Sequence, residues 1–168
     1  MIAKVQMAEK EIIIYTDGAC LGNPGAGGYA AILIYGKARK EISGGFRLTT
    51  NNRMELLAVI MALRALKEPI GYNISIFTDS NLIVQAINCN WIENWKNKNW
   101  KKANNEKVVN PELWMQLDEL VKKYNPKFIH VKGHNGILEN ENCDKLCKKA
   151  ASSPNLGIDL VYEQLTEN

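Results

Sequence analysis

Histidine is scarce in this chain: His130 and His134 are the only two among 168 residues. The four cysteines, Cys20, Cys89, Cys143 and Cys147, form no C-x-x-C pair. These two shortages argue against a structural zinc site. No apolar run is long enough to cross a membrane. The first residues, Met1 to Glu11, lack the basic-then-apolar layout of a signal peptide. An intracellular, cytoplasmic protein with reduced thiols is therefore expected. The sequence has no internal repeat and no low-complexity segment. It has no phosphate-binding loop either, because no Gly-Lys-Ser/Thr follows the glycines from Gly22 to Gly28. A strand comes after those glycines, which excludes a dinucleotide fingerprint. The stretch reads as a hairpin turn, or as a place where backbone comes close to a sugar–phosphate chain.

What is present fits one globular domain. The length of 168 residues and a 46% hydrophobic content are enough to bury a substantial core. The net charge is a modest +3, but it is concentrated. Between Trp91 and Lys107 stand five lysines (Lys96, Lys98, Lys101, Lys102, Lys107) against two acids, Glu93 and Glu106. That island carries the whole net charge, and the remainder is neutral. It also holds Trp91, Trp95 and Trp100. A basic island on a neutral body points to a polyanion met at one place. Trp91 and Trp95, four apart, are suited to packing a short helix on the core, which leaves the lysines facing phosphates.

After a leader over 1–10, Ile12-Ile13-Ile14-Tyr15 reads as a buried strand from about Glu11 to Asp17. A second strand is expected over Tyr29–Tyr35 and a third over Glu41–Leu48, with Gly44-Gly45 a candidate bulge. Turns this short make the three antiparallel neighbours. Thr49-Thr50-Asn51-Asn52 offers caps for a helix running to about Lys67, apolar nearly all round and so buried. Tyr72–Thr78 is a fourth strand, and Ser80 can cap the next helix. Asn110-Pro111-Glu112 opens another helix, with asparagine as cap. Lys127–Val131 is the last strand, and a final helix from about Glu139 to Ser152 turns Cys143, Leu146, Cys147 and Ala150 inward. The tail from Pro154 is weakly patterned. The order β-β-β-α-β-α-α-β-α gives an α/β chain, an α+β mixed sheet of five strands flanked by helices.

Four acids sit on four of these elements. Asp17 and Asp79 each end a strand, where a turn or cap acid is the ordinary alternative. Glu55 is the lone acid from Met54 to Leu66, on a helix otherwise committed to burial. A bare buried carboxylate costs several kcal/mol or becomes neutral. A place in the helix's first turn would recover only about 0.3–1 kcal/mol. Asp144 borders the apolar face of the last helix. Oxygen ligands without sulfur or clustered histidine suit Mg2+ or Mn2+, and two such ions can clamp an in-line phosphoryl displacement. His134, between Gly133 and Asn135-Gly136, is either a surface residue or a mobile proton carrier near the acids.

Five blocks then match a family in order: Tyr15–Gly25, Thr49–Leu56, Thr78–Ser80, Asn90–Lys96, and Val131–Gly136 with Glu139–Asp144. They resemble bacterial ribonuclease H type 1 (ribonuclease HI) over about residues 11–152. The resemblance implies the ribonuclease H-like fold, as a single domain with the leader and the tail 153–168 outside the match. It implies endonucleolytic cleavage of the RNA strand of an RNA–DNA hybrid, leaving 5′-phosphate and 3′-hydroxyl ends. By matched position, Asp17, Glu55, Asp79 and Asp144 would hold two Mg2+ ions (Mn2+ as the alternative), and His134 would aid turnover. Gly18, Cys20, Asn23, Thr50, Asn51 and Asn52 would line the hybrid. Asn81 stands where the family often has glutamine, which would shorten a minor-groove contact. Trp91, Trp95, Lys96, Lys98, Trp100, Lys101 and Lys102 would form a basic protrusion gripping the DNA strand, diluted here by Asn97 and Asn99. Ile137-Leu138 stand where a proline is frequent, which would alter the His134 loop. A monomer is expected.

Three other readings are open at this point. A non-catalytic hybrid-binding module would lack carboxylates, and all four are present. A phosphotransfer ATPase of the actin and sugar-kinase type would be duplicated and about twice as long. A DNA-cutting integrase or junction nuclease would be separated by its substrate.

Overall fold

Two parallel strands at the centre of a mixed sheet set the position of everything else. The computed structural model describes residues 10–67, 71–133 and 136–167. The expected leader and His134 lie outside these residues, as does Pro69 beyond the first helix. Strands β1 (Glu11–Leu21), β2 (Gly25–Tyr35) and β3 (Ala38–Thr49) form an antiparallel meander. Helix α1 (Asn51–Arg64) then crosses over, so that β4 (Asn73–Thr78) lies parallel to β1 on its free side. Helices α2 (Asn81–Asn88), α3 (Trp91–Asn97) and α4 (Pro111–Tyr124) lead to β5 (Lys127–His130), which is parallel to β4. The sheet order is β3-β2-β1-β4-β5. Helices α5 (Leu138–Ala151) and α6 (Leu160–Thr166) complete the chain.

The burial pattern explains the layering. In β2, Ala30, Ala31, Ile32 and Leu33 are all buried, as a strand covered on both faces requires. One face packs Ile12, Ile14, Ala31 and Leu33 against Leu56, Val59, Ile60 and Leu63 of α1 and Trp114 and Leu117 of α4. The other packs Ala30 and Ile32 against Cys143 and Cys147 of α5. Among the described residues no helix is long and apolar enough to cross a membrane.

Several boundaries differ from the sequence expectation. β1 runs past Asp17 to Leu21, and β2 starts at Gly25, so the glycine loop shrinks to residues 22–24. The small residues there pair across the hairpin, Ala19 with Gly28 and Cys20 with Gly27. Gly44 and Gly45 form no bulge: they pair in register with Tyr29 and Gly28, and the slip falls between Gly25 and Gly27. The ring of Tyr29 occupies the space beside Gly44 instead. Three helices rather than the two of the expected order separate β4 from β5, the third being α3, the short helix that the spacing of Trp91 and Trp95 suggests. Asn110 precedes α4 in a left-handed conformation but makes no side-chain cap. Its side-chain oxygen accepts from Arg53 Nη1 at 3.1 Å. The tail is ordered: Gly157 pairs with Gly45 and Arg47, and Asp159 caps α6.

Candidate active site

Thr16 on β1 stands opposite Thr78 on β4. One residue further along these parallel strands come Asp17 and Asp79, so the strand ends bring the two carboxylates side by side. Glu55 joins them from α1. Its approach depends on Gly18, where a Cβ would lie 2.4 Å from Glu55 N and 2.5 Å from the carbonyl carbon of Met54. Only glycine lets the helix backbone sit this close to the strand. Asp17, Glu55 and Asp79 each present a carboxylate oxygen, and the three oxygens lie within 4.8 Å of one another. Glu55 is the fifth residue of α1, whose first turn contains no acid, so the helix-dipole explanation for it does not hold.

The electrostatics fit a missing positive charge. Burial pushes the Asp17 carboxyl up to about 8, and the neighbouring Asp79 adds to this. The Gly18 amide opposes the rise by donating to Asp17 Oδ1 at 2.8 Å. Burial likewise raises Glu55 to about 7, against a hydrogen bond from Ser80 and with a further push from Asp79. Neither Asp17 nor Glu55 forms an ion pair with lysine or arginine among the described residues. Desolvated, mutually repelling oxygen donors are the set a hard divalent cation neutralises.

Asp144 reaches the same cleft from the opposite face. Helix α5 presses on β2 at Gly28, where a Cβ would lie 2.2 Å from the Cys147 carbonyl oxygen. The cleft is lined by Asp17, Asp79, Gly133, Asn140, Glu141 and Asp144. Asp144 Oδ2 accepts from Lys148 Nζ at 2.8 Å, so this acid is the least starved of charge. His134 itself is not among the described residues, but Gly133 before it lines the cleft. Two residues, Asn140 and Glu141, and a second role for Ser80 escaped the sequence reading. Ser80 serves two groups, accepting from Ile83 N as a cap and bonding Glu55. Asn140 and Glu141 precede Asp144 by four and three residues, the helical spacing that shares a face.

Around the acids, Asn51 ties two candidate contact segments together. Its side-chain oxygen accepts from Cys20 N at 2.7 Å, and its backbone N–H donates to Asn23 Oδ1 at 3.2 Å. Thr50 caps α1, while Asn52 and Asn81 are exposed. Gly18, by contrast, is covered by α1 on its open side. Trp91, Trp95 and Trp100 are partly buried against the main core, with Trp95 edge-on to Trp114 at 5.2 Å. Beside them a groove of about 650 Å³ is lined by Trp91, Trp95, Asn94, Lys98, Lys101 and Lys102, among others. Lys96 does not line it: its ammonium meets Asp118 and Glu93.

Comparison with known proteins places this arrangement. The model of the RNase H family matches residues 9–152. The chain belongs to the ribonuclease H family. It is 51% identical over 154 residues to the Ribonuclease H of Syntrophus aciditrophicus, covering 92% of this chain and 88% of that one. It is equally 51% identical over 154 residues to the Ribonuclease H of Aeromonas hydrophila, covering 92% and 98%. Among solved structures it is similar to LC9-RNase H1, a type 1 RNase H, with a TM-score of 0.77, 27% identity, and coverage of 96% and 83%. It is also similar to LC11-RNase H1 in complex with an RNA/DNA hybrid, with a TM-score of 0.60, 26% identity, and coverage of 83% and 96%. At this similarity to bacterial relatives the protein is a ribonuclease H enzyme.

Proposed function

We propose that this enzyme hydrolyses the RNA strand of RNA–DNA hybrids at the cleft formed by Asp17, Glu55, Asp79 and Asp144, leaving 5′-phosphate and 3′-hydroxyl ends. The observation that carries the reading is the convergence of one buried and two half-buried carboxylates within 4.8 Å, with no lysine or arginine among the described residues paired to Asp17 or Glu55. These residues would hold two divalent cations, Mg2+ or Mn2+. Bound there, the cations supply Lewis acidity to a phosphoryl oxygen and lower the pKa of a water. The protein supplies pre-set ligand positions. The Gly18 amide fixes Asp17, the Ser80 hydroxyl fixes Glu55, and Lys148 restrains Asp144. His134 is proposed to carry a proton in the reaction.

Substrate selection follows from the surroundings. Cys20, Asn23, Thr50, Asn51 and Asn52 are proposed to contact the hybrid beside the cleft, with Asn81 reaching the minor groove. Only the 2′-hydroxyl separates RNA from DNA, so discrimination must rest on donors and acceptors placed to meet it. The groove beside Trp91 and Trp95 is proposed to take the DNA strand, its phosphates met by Lys98, Lys101 and Lys102. The structural neighbour bound to a hybrid supports the substrate class. We further propose a monomer acting in the cytoplasm, in keeping with four free thiols. The test is a cleavage assay with Mg2+ on hybrid, duplex DNA and duplex RNA. Cutting confined to the RNA strand of the hybrid is expected. Cutting of duplex DNA, or hybrid binding without cleavage, would contradict the proposal.

A further inference from the structure

We propose that Asp17, Asp144 and Cys147 form a second cation site, selective for thiophilic divalent ions of the zinc and cadmium class, and that its occupation withdraws Asp17 from catalysis. A carboxylate oxygen of each acid and Cys147 Sγ lie within 4.8 Å of one another. Asp144 and Cys147 stand one turn apart on the same face of α5. The tight contact at Gly28 holds that turn against the strand pair. In a tetrahedral site one sulfur and one oxygen bound to the same zinc ion lie about 3.6 Å apart, so side-chain rotation must draw the donors together by about 1 Å at most.

The chemistry separates this triad from the all-oxygen one. A thiolate selects zinc-class ions, and Mg2+ sheds its water reluctantly. Cys147 is fully buried, so an ion there must be one that tolerates dehydration. A separate observation points to a ligand in the same cleft. Asn140 is 4% exposed, and its side-chain oxygen has no hydrogen-bond partner among the described residues. It lines the cleft together with Asp17 and Asp144 and offers a further oxygen donor. Two groups compete with the ion. Lys148 holds Asp144 Oδ2 at 2.8 Å, but it is a largely exposed side chain and leaves Oδ1 available. The Cys147 thiol leans on the Asp144 carbonyl oxygen at 3.1 Å. On binding, the thiol proton passes to solvent and a metal–sulfur bond replaces that contact. Asp17 belongs to both triads, so the two kinds of ion compete. The inhibitory half of the proposal rests on Asp17 serving cleavage; the binding half does not.

The test uses the full chain carrying Cys89→Ala, which removes the exposed thiol, titrated with CdCl2 in magnesium-free buffer. One equivalent of Cd2+ is expected to produce an ultraviolet thiolate-to-cadmium charge-transfer band. Adding Cys147→Ser or Cys147→Ala should abolish it, with thermal melts reporting that each variant is folded. In hybrid cleavage with Mg2+, the Cd2+ concentration for half-inhibition should rise on the order of 100-fold in the Cys147 variants, as loss of a direct ligand exceeds the 10–100-fold of an outer partner. A missing band in the Cys89→Ala protein, or a band that survives both Cys147 substitutions, overturns the site. A band that behaves as expected with an unmoved inhibition curve overturns the inhibitory half.

Discussion

Arg53 and Glu55 are two residues apart on α1, and their surroundings are opposites. Arg53 is buried and donates from Nε and Nη2 to both Asp159 oxygens, at 2.7 and 2.9 Å. It also meets Glu112 and Asn110, while Thr49 donates to Asp159 at 2.7 Å. Although burial alone would raise the Asp159 carboxyl, Arg53 and Thr49 hold it below the ordinary carboxylate value. Glu55 faces Asp17 and Asp79 instead, and burial raises both Glu55 and Asp17. Acids that hold the fold together are neutralised by the protein's own cation. Asp17 and Glu55, the acids proposed to act in cleavage, have no lysine or arginine beside them among the described residues and are proposed to await an external cation.

Substitutions on the two sides of this contrast should fail in different ways. Asp17→Asn should cut hybrid hydrolysis by well over 100-fold, beyond what loss of an outer partner costs, and leave the protein folded by circular dichroism. Normal cleavage by this variant would remove Asp17 from the mechanism. Arg53→Met strands Asp159 and Glu112 and should cost about 3–5 kcal/mol in urea unfolding. A loss under about 1 kcal/mol would show that the buried pair contributes little net stability.

Gly18→Ala tests how the contrast is built, because its Cβ must displace backbone of α1. Destabilisation of about 1–3 kcal/mol is expected, with a fall in cleavage as Glu55 moves away. Unchanged cleavage would mean that the close approach is not what places Glu55.

The two acid sets should also respond to pH with opposite signs. In metal-free protein burial pushes Asp17 and Glu55 up to about 8 and about 7, from ordinary values of 3.8 and 4.5. Across that window the folded state binds more protons than the unfolded one, so stability rises as pH falls from about 8 toward 5. Asp159 is shifted down: its contribution is complete above the ordinary carboxylate value and is lost as pH falls through its lower folded value. Urea unfolding across this range should give a maximum on the acid side of neutrality. A maximum above pH 8 would contradict these assignments.

The smallest effects concern the lysines. Neutralising Lys98, Lys101 and Lys102 should flatten the salt dependence of hybrid binding by about 0.9 log units for each phosphate left without a lysine. Lys96→Gln should leave the slope unchanged and cost at most about 1 kcal/mol, since its partners are Asp118 and Glu93. A reduced slope for Lys96→Gln would place it at the nucleic acid after all.

The main elements were legible in the sequence because apolar runs or stripes, broken by turn and cap residues, mark them. Apolar runs ending on Asp17 and Asp79 gave two strands with acids at matching ends, and Glu55 stood out as a lone charge on an apolar helix. Helix α6 was not legible. Ile158, Leu160, Val161 and Leu165 stay exposed, so no buried stripe announces it. Its anchors are distant in sequence: Asp159 on Arg53, Gly157 on Gly45 and Arg47, and Glu163 on Arg47. The roles of Gly18 and Gly28 were hidden for a related reason. What they accommodate is backbone from helices far along the chain, which local turn chemistry does not encode. Asn140, and the bond from Ser80 to Glu55 beyond its expected cap, became visible only when the strand ends and two helices met at one cleft.

The central claim is that external cations, not side chains, neutralise the Asp17–Glu55–Asp79 cluster. It is tested most directly by thermal unfolding of the metal-free protein and of Asp17→Asn while Mg2+ is titrated. Wild-type Tm should climb with Mg2+ concentration as mass action requires, whereas the variant should start higher and respond little. A wild-type Tm indifferent to Mg2+, or an equal rise in the variant, would contradict the account.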